Sequence, residues 1–296
     1  MTLLPFDDRE GFIWFDGKTV PWRDAKVHVL SHGLHYGSCV FEGERVYDGE
    51  IFKLNEHSER LLHSAKVLGF TIPYSLDQIN AASREVIKIQ KIENGYVRPV
   101  AWRGSEMMAV SAQNSTIHMA IAAWPWPSYF SKDARDKGIR LAISKWRRPA
   151  PDTIPTNSKA AGLYMICTLS KHEAESKGYD DALMLDYRGR IAEATGANFF
   201  MVVKGELHTP IPDCFLDGIT RRTVIDLAKK RGIKVVERAI MPEDLAQAKE
   251  VFLTGTAVEV IPVDEIDDYQ FQVGDITRAL RDDYADLVRS SAKSAA

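Results

Sequence analysis

One stretch of this chain is best suited by residue type and spacing to carry chemistry: Ile154-Pro155-Thr156-Asn157-Ser158-Lys159-Ala160-Ala161-Gly162-Leu163-Tyr164. Thr156, Asn157 and Ser158 are all good helix N-caps, and the apolar run onward to Leu169 reads as a buried helix. Lys159 is then expected at or just before the positive end of a helix dipole, among apolar neighbours. The dipole and desolvation both disfavour an ammonium, so this amine is the one most readily made nucleophilic, and able to form a Schiff base. Taken alone, the stretch favours a plainer reading, a surface lysine at a helix start.

Three further pieces bear on that choice. Glu193-Ala194-Thr195-Gly196-Ala197-Asn198 is a carboxylate followed by a small, turn-forming run. Leu216-Asp217-Gly218-Ile219-Thr220 opens a helix with small residues whose backbone N–H groups can cradle an anion. Thr254-Gly255-Thr256-Ala257 offers a hydroxyl and amides just past a buried strand. A reactive lysine, a lone carboxylate and two backbone anion sites are what pyridoxal 5′-phosphate requires. Each piece is common by itself, and spacing alone does not assemble them.

Other chemistries lack their anchors. There is no G-x-G-x-x-G, Walker A, G-x-S-x-G or H-E-x-x-H motif. His28, His32 and His35 fall at helical spacing, yet Gly33, Gly37 and Gly43 with β-branched flanks argue against a helix there. No acidic or cysteine ligand completes a metal set, so structural or substrate-side histidines are expected and no metal site. Cys39, Cys167 and Cys214 are too few and scattered for a disulfide framework. The net charge of −3 argues against nucleic-acid binding. The start lacks the pattern of a secretory signal and no apolar run approaches membrane-spanning length, so a reducing cytoplasm is the expected compartment.

The elements that must position these residues follow from periodicity and turn signals. Length suits two domains. Asp16-Gly17 and Asp48-Gly49 mark hairpins. A helix over 55–69 is capped by Asn55 and turns Leu61, Leu62, Ala65 and Leu68 inward, with Arg60 beside that stripe and able to pair with Glu56. Ser75 to Gln90 is a second helix, and 95–103 and 116–123 are core strands. The Pro- and aromatic-rich 125–137 reads as an interdomain connection between a small 1–124 domain and a larger 138–296 domain. There, strands are expected at 139–146, 182–185, 198–203, 233–237 and, as the last buried one, 251–254. Helices are expected after Lys159 to about Gly178, over 218–232, from Glu243, and over 276–288, with 290–296 frayed.

Taken together, Val27-His28-Val29, His35-Tyr36-Gly37, Val40-Phe41-Glu42-Gly43, Arg98-Pro99, Thr156 to Lys159 with Tyr164, Glu193 to Asn198, Gly218-Ile219-Thr220 and Gly255-Thr256-Ala257 resemble the fold-type IV pyridoxal-phosphate enzymes. Within that group the chain is most similar to the branched-chain amino acid aminotransferases, from about Ile13 to Pro262 and with all motifs in family order. The resemblance implies a two-domain α/β (α+β) fold like that of D-amino acid aminotransferase, with the active site between domains and completed across a homodimer or an oligomer of dimers. It implies Lys159 as the Schiff-base lysine and proton shuttle, Glu193 on the pyridine nitrogen and Tyr164 on the phenolic oxygen. Arg60, Ile219, Thr220 and Thr256 would hold the phosphate, replacing the Glu56 pairing as Arg60's role, and Gly196 and Ala197 would admit the ring closely. Tyr36, Phe41, Tyr96, Trp126 and Tyr129 would wall an apolar substrate pocket. Arg98 would read glutamate's distal carboxylate, and Tyr96, Thr256 and Ala257 the α-carboxylate.

The implied reaction is reversible transamination of L-leucine, L-isoleucine and L-valine with 2-oxoglutarate. D-amino acid transaminase, R-selective amine transaminase and aminodeoxychorismate lyase are the alternatives on the same fold. Asp217 stands where the family often has proline, Val258 where alanine is common, and the 103–108 loop differs from better-known members. Asp217 is expected to cap the following helix.

Overall fold

The computed structural model describes residues 5–126 and 130–295. They form two compact units, one of residues 5–126 with 158–162, the other of 130–157 with 163–290. The Lys159 segment is thus grouped with the N-terminal residues.

In the first unit, β1 (Phe12–Phe15), β2 (Lys18–Pro21), β3 (Cys39–Phe41), β4 (Glu44–Tyr47), β5 (Glu50–Ile51), β6 (Gly95–Arg103) and β7 (Ile117–Pro125) make an antiparallel sheet. Its order is β2-β1-β7-β6-β4-β5, with β3 also on β6. Both Asp-Gly turns are tight for the expected reason: Asp16 and Gly17 have φ of 47° and 83°, Asp48 and Gly49 of 48° and 84°. Side chains alternate across each strand. One face puts Val40, Val46, Val97, Met119 and Ile121 into a core completed by Leu61, Ala65, Ile79 and Val86 of two helices. These are α2 (Leu54–Val67) and α3 (Leu76–Ile89), which follow the one-turn α1 (His32–Tyr36). The opposite face carries Phe41, Tyr96, Arg98, Val100 and Trp102.

Local signals decided some ends and misled at others. Ser75 caps α3 in a reciprocal capping box with Gln78. Asn55, in contrast, lies inside α2, whose N-cap is Lys53 in a left-handed conformation. The glycines did not prevent α1; Gly37, at φ 68°, ends it.

In the second unit the strands are β8 (Ile139–Arg148), β9 (Asp181–Asp186), β10 (Ile191–Ala194), β11 (Asn198–Val203), β12 (Glu206–Thr209), β13 (Val235–Glu237), β14 (Glu250–Gly255), β15 (Glu259–Ile266) and β16 (Tyr269–Gln270). Following the pairings β10-β9-β8-β15-β14-β11 returns to β10, so six strands close into a ring. The closing pair is Glu193 opposite Asn198. Ile139, Leu183, Phe199, Met201, Leu253, Ile261 and Val263 fill the core. Around it run α4 (Lys132–Lys137), α5 (Met165–Ser176), α6 (Ile219–Lys230) and α7 (Asp275–Ala295).

Five expectations are corrected in this half of the chain. The stretch after Lys159 first makes a 3-10 turn, Ala161–Tyr164, and only then α5, so Lys159 does not sit on an α-helix N-terminus. That helix is not buried throughout: Met165 is 66% and Leu169 42% exposed. The last buried strand is β15, which pairs with β14 and β8 rather than ending the sheet at Thr254. From Pro242 to Gln247 the chain is 3-10 rather than α-helical, and α7 extends through the expected frayed end to Ala295.

Candidate active site

In the first unit, Lys159 is tied into the β-sheet by its own backbone. Phe41 N donates to Lys159 O at 3.2 Å, Val40 bridges Ala160, and Lys159 N donates to Ser64 Oγ of α2 at 2.9 Å. Its Nζ lies 4.9 Å from the centroid of the Phe41 ring. Burial, then the nearby Arg60 charge, lowers the amine to about 8, with Glu42 opposing. Desolvation was one of the two causes expected from sequence; the other, an α-helix start at Lys159, is not present, and Arg60 is the second cause. The rate at which the apoprotein forms its imine with added pyridoxal should therefore climb with pH up to about 8 and level off there. A rate still climbing between pH 9 and 10 would mean an ordinary lysine.

Arg60 does not pair with Glu56, which instead meets Lys53. It clasps Glu42 bidentately, Nε to Oε1 at 2.7 Å and Nη2 to Oε2 at 2.8 Å, while His57 Nδ1 donates to Oε2 at 2.7 Å. Burial opposes ionisation of Glu42, but Arg60 and then His57 outweigh it and hold the carboxyl well below the usual range. On the opposite face of the sheet, the Arg98 guanidinium lies 4.8 Å from the Phe41 centroid and 5.3 Å from that of Tyr96. Its Nη2 donates to Tyr96 Oη at 3.4 Å, whereas its buried Nε has no hydrogen-bond partner among the described residues. Tyr96, Trp124 and Trp126 pack ring to ring with centroids 5.4–5.8 Å apart. Arg98, Val100, Trp102, Ala120 and Ala122 line a hollow of about 560 Å³, closed on one side by Leu34 and Ala161.

Tyr36 is 47% exposed and stacks on His32 at 4.5 Å. Tyr129 lies outside the described residues. The histidines are structural: His32 donates from Nε2 to Ala109 O and faces Ser38 Oγ, His35 bonds Val29 O, and His28 accepts from Leu30 N. Among the described residues, one set of acids and thiols is close enough to share an ion, Asp186, Asp213 and Cys214, and Arg188 already binds both of its carboxylates.

The second unit assembles another set of residues. The Glu193–Asn198 turn is closed by Ala194 N donating to Ala197 O at 2.8 Å. Asn198 Nδ2 donates to Glu193 Oε2 at 3.3 Å and Leu216 O at 3.0 Å, joining this turn to the start of α6. A side chain at Gly218 would strike Asn198 Oδ1 at 2.1 Å, and one at Gly255 would crowd Gly196 O at 3.2 Å. Both glycines are therefore needed for close approach. The Gly218 N-cap makes no side-chain cap, and Ile219 and Thr220 follow it, both buried. Thr256 and Ala257 lie in the turn between β14 and β15, and the buried Thr254 Oγ1 beside it has no partner among the described residues. Asp217 does not cap α6. It pairs with Arg221 at 2.8 Å and Arg222 at 3.4 Å, which neutralises the extra charge. Tyr164 stands half-buried just ahead of α5.

Sequence reading missed Arg148, whose Nε lies 3.3 Å from Glu193 Oε1 and whose Nη1 is 3.5 Å from Cys167 Sγ. It also missed Glu42, His57 and Asn198 as partners of the expected residues. An acid directly beside a glycine, Glu42-Gly43, was the available signal for the first.

The first unit thus holds a lysine amine lowered by burial beside an arginine–carboxylate clasp, and the second a carboxylate next to an uncapped helix start. Residues 39–266 match the family described as Amino-transferase class IV. A Rickettsia felis protein named "Probable branched-chain-amino-acid aminotransferase" is 42% identical over 98% of this chain and 100% of its own length. The crystal structure of the Escherichia coli branched-chain amino acid aminotransferase superposes with a TM-score of 0.92, at 40% identity over 95% of this chain and 96% of that one. The Thermobaculum terrenum branched-chain amino acid aminotransferase in its PLP-bound holo form gives 0.87 at 32% identity, covering 95% of this chain and 94% of that one. The chain belongs to the class IV aminotransferases, and its fold is fold-type IV. The cofactor this family implies is pyridoxal phosphate. The lowered lysine, the uncapped start of α6 and the orphaned Thr254 hydroxyl fit it.

Proposed function

We propose that this chain is a branched-chain amino acid aminotransferase, moving the amino group of L-leucine, L-isoleucine or L-valine to 2-oxoglutarate through pyridoxal phosphate in a ping-pong cycle. The observation that carries the reading is the Lys159 amine, lowered to about 8 by burial and then by Arg60. Bound pyridoxal phosphate supplies an electron sink that makes the substrate's α-proton removable. Lys159 holds the cofactor's aldehyde carbon at rest. With the substrate's amino group in its place, the neutral Lys159 amine would be the base for the α-proton and, once protonated, the acid that gives a proton back. An amine near 8 serves both directions close to neutral pH.

Glu193 would meet the pyridine nitrogen, with Arg148 Nε 3.3 Å behind its Oε1. Tyr164 hydrogen-bonds the phenolic oxygen. Arg60 and the backbone at Ile219, Thr220 and Thr256 bind the phosphate, while Gly196 and Ala197 leave room for the ring. Phe41, Tyr96 and Trp126, joined by Tyr36 and Tyr129, receive the branched side chain. Arg98, with an orphaned Nε, reads the distal carboxylate of glutamate, and Tyr96, Thr256 and Ala257 take the α-carboxylate. The exposed apolar side chains of Val27, Val29, Leu34 and Val110 support a homodimer. Sedimentation as a monomer at micromolar concentration would exclude it. No described helix is long and apolar enough to cross a membrane, and we assign the enzyme to the cytoplasm.

The direct test is the visible spectrum of the purified protein before and after L-leucine, without keto acid. A yellow band that converts to the aminated cofactor is expected. A band indifferent to L-leucine would move the substrate to a D-amino acid or amine, and no band after incubation with cofactor would refute the reading.

A further inference from the structure

Glu44 is a carboxyl group in a place that suits an aliphatic side chain. It opens β4 opposite Val97 of β6, on the sheet face that carries Val46 and Val97 into the core, and it is 0% exposed. Neither of its oxygens has a hydrogen-bond partner among the described residues. Buried polar groups are nearly always paired, so an acid kept here at a cost to stability calls for a role. Its charged surroundings are specific. Glu42 precedes it by two residues, and Arg60 and His57 reach Glu42 from α2. Lys159 acts on the same cluster from the 158–162 segment, and the facing position on β6 is the uncharged Val97. Burial, then the Glu42 charge, drives Glu44 well above the usual carboxylate range, with Arg60 offsetting part of the rise.

We propose that Glu44 governs how firmly the cofactor's phosphate is held: as the neutral acid it adds no charge beside the Arg60–Glu42 pair, and as a carboxylate it sets a second anion against the phosphate. This rests on the reading that Arg60 binds that phosphate. Rising pH removes the Glu44 proton, adds negative charge to the cluster and releases cofactor. Falling pH restores the proton and the grip. Residue 44 thereby belongs to the phosphate site without touching it, as a positioning residue acting through Arg60.

The experiment is equilibrium binding of pyridoxal 5′-phosphate to the wild-type chain and to Glu44→Gln across the whole pH range in which both stay folded, read from the visible band. Pyridoxal, which lacks the phosphate, serves as the parallel ligand. Wild-type affinity should fall with pH relative to Glu44→Gln, by up to about tenfold per pH unit once Glu44 ionises. The two proteins should bind pyridoxal with the same pH profile. Glu44→Met, apolar and of similar length, should behave as Glu44→Gln does. Coincident profiles for wild type and variants, or an equal difference with pyridoxal, would overturn the role of Glu44 while leaving the cofactor in place. A wild-type protein that forms no band at all would overturn the cofactor reading beneath it.

Discussion

Lys159→Ala should yield a folded, colourless protein whose turnover of L-leucine is at least about 10⁴-fold below wild type. The loss combines two roles that no neighbour can assume. Arg60 and Arg98, the guanidinium groups of its cluster, have no amine that could form an imine in its stead. Glu42 is locked as a carboxylate by Arg60 and His57. The fold should survive, because the strand contacts at this position are made by main-chain atoms of Lys159 and Ala160, which alanine retains. Single-turnover spectroscopy with L-leucine checks the result. A variant that still transaminates at the wild-type rate would remove Lys159 from the mechanism.

Arg98→Ala should separate the two substrates. Glutamate is expected to lose about 100-fold in kcat/KM, since a hydrogen-bonded charge pair is worth roughly 1.5–3 kcal/mol and about 1.4 kcal/mol is tenfold. L-Leucine should lose only about threefold, from packing on Phe41 and Tyr96. Arg98 also helps lower the Lys159 amine, so its removal shifts both reactions through the lysine. That shared effect cancels in the ratio of the two specificity constants, which is the quantity to measure. Equal losses would mean that the orphaned Nε reads something other than a distal carboxylate.

How far the chain could be read in advance depended on whether the signal was local. The Asp-Gly hairpins and the Ser75 cap are set by a few adjacent residues, and they form as expected. Asn55 failed because Lys53 could take the left-handed cap position two residues earlier, which no propensity at 55 reveals. Helix α1 forms despite its glycines because His32 is held by Ser38 and Ala109, the second of these contacts made far along the chain. The same limit applies to the site. Lysine, carboxylate and anion cradles were legible as residue types, and the family resemblance assembled them. What surrounds them was not: Glu42 and His57 on Arg60, Arg148 on Glu193, and Arg221 on Asp217 are pairings that only the folded chain brings about. The Lys159 amine was expected to be lowered by desolvation and a helix dipole; burial is indeed the largest cause, and the second is Arg60, which spacing could not reveal.

The backbone of Lys159 is pinned on both sides, its N–H to Ser64 and its C=O to Phe41. A segment with no regular secondary structure is thus stitched to a strand and a helix as firmly as if it were an edge strand itself. The four-carbon side chain is then the only part that has to move when the amine lets go of one partner and takes up another. On the proposed mechanism, turnover would swing an arm from a fixed shoulder, and the loop would not need to breathe.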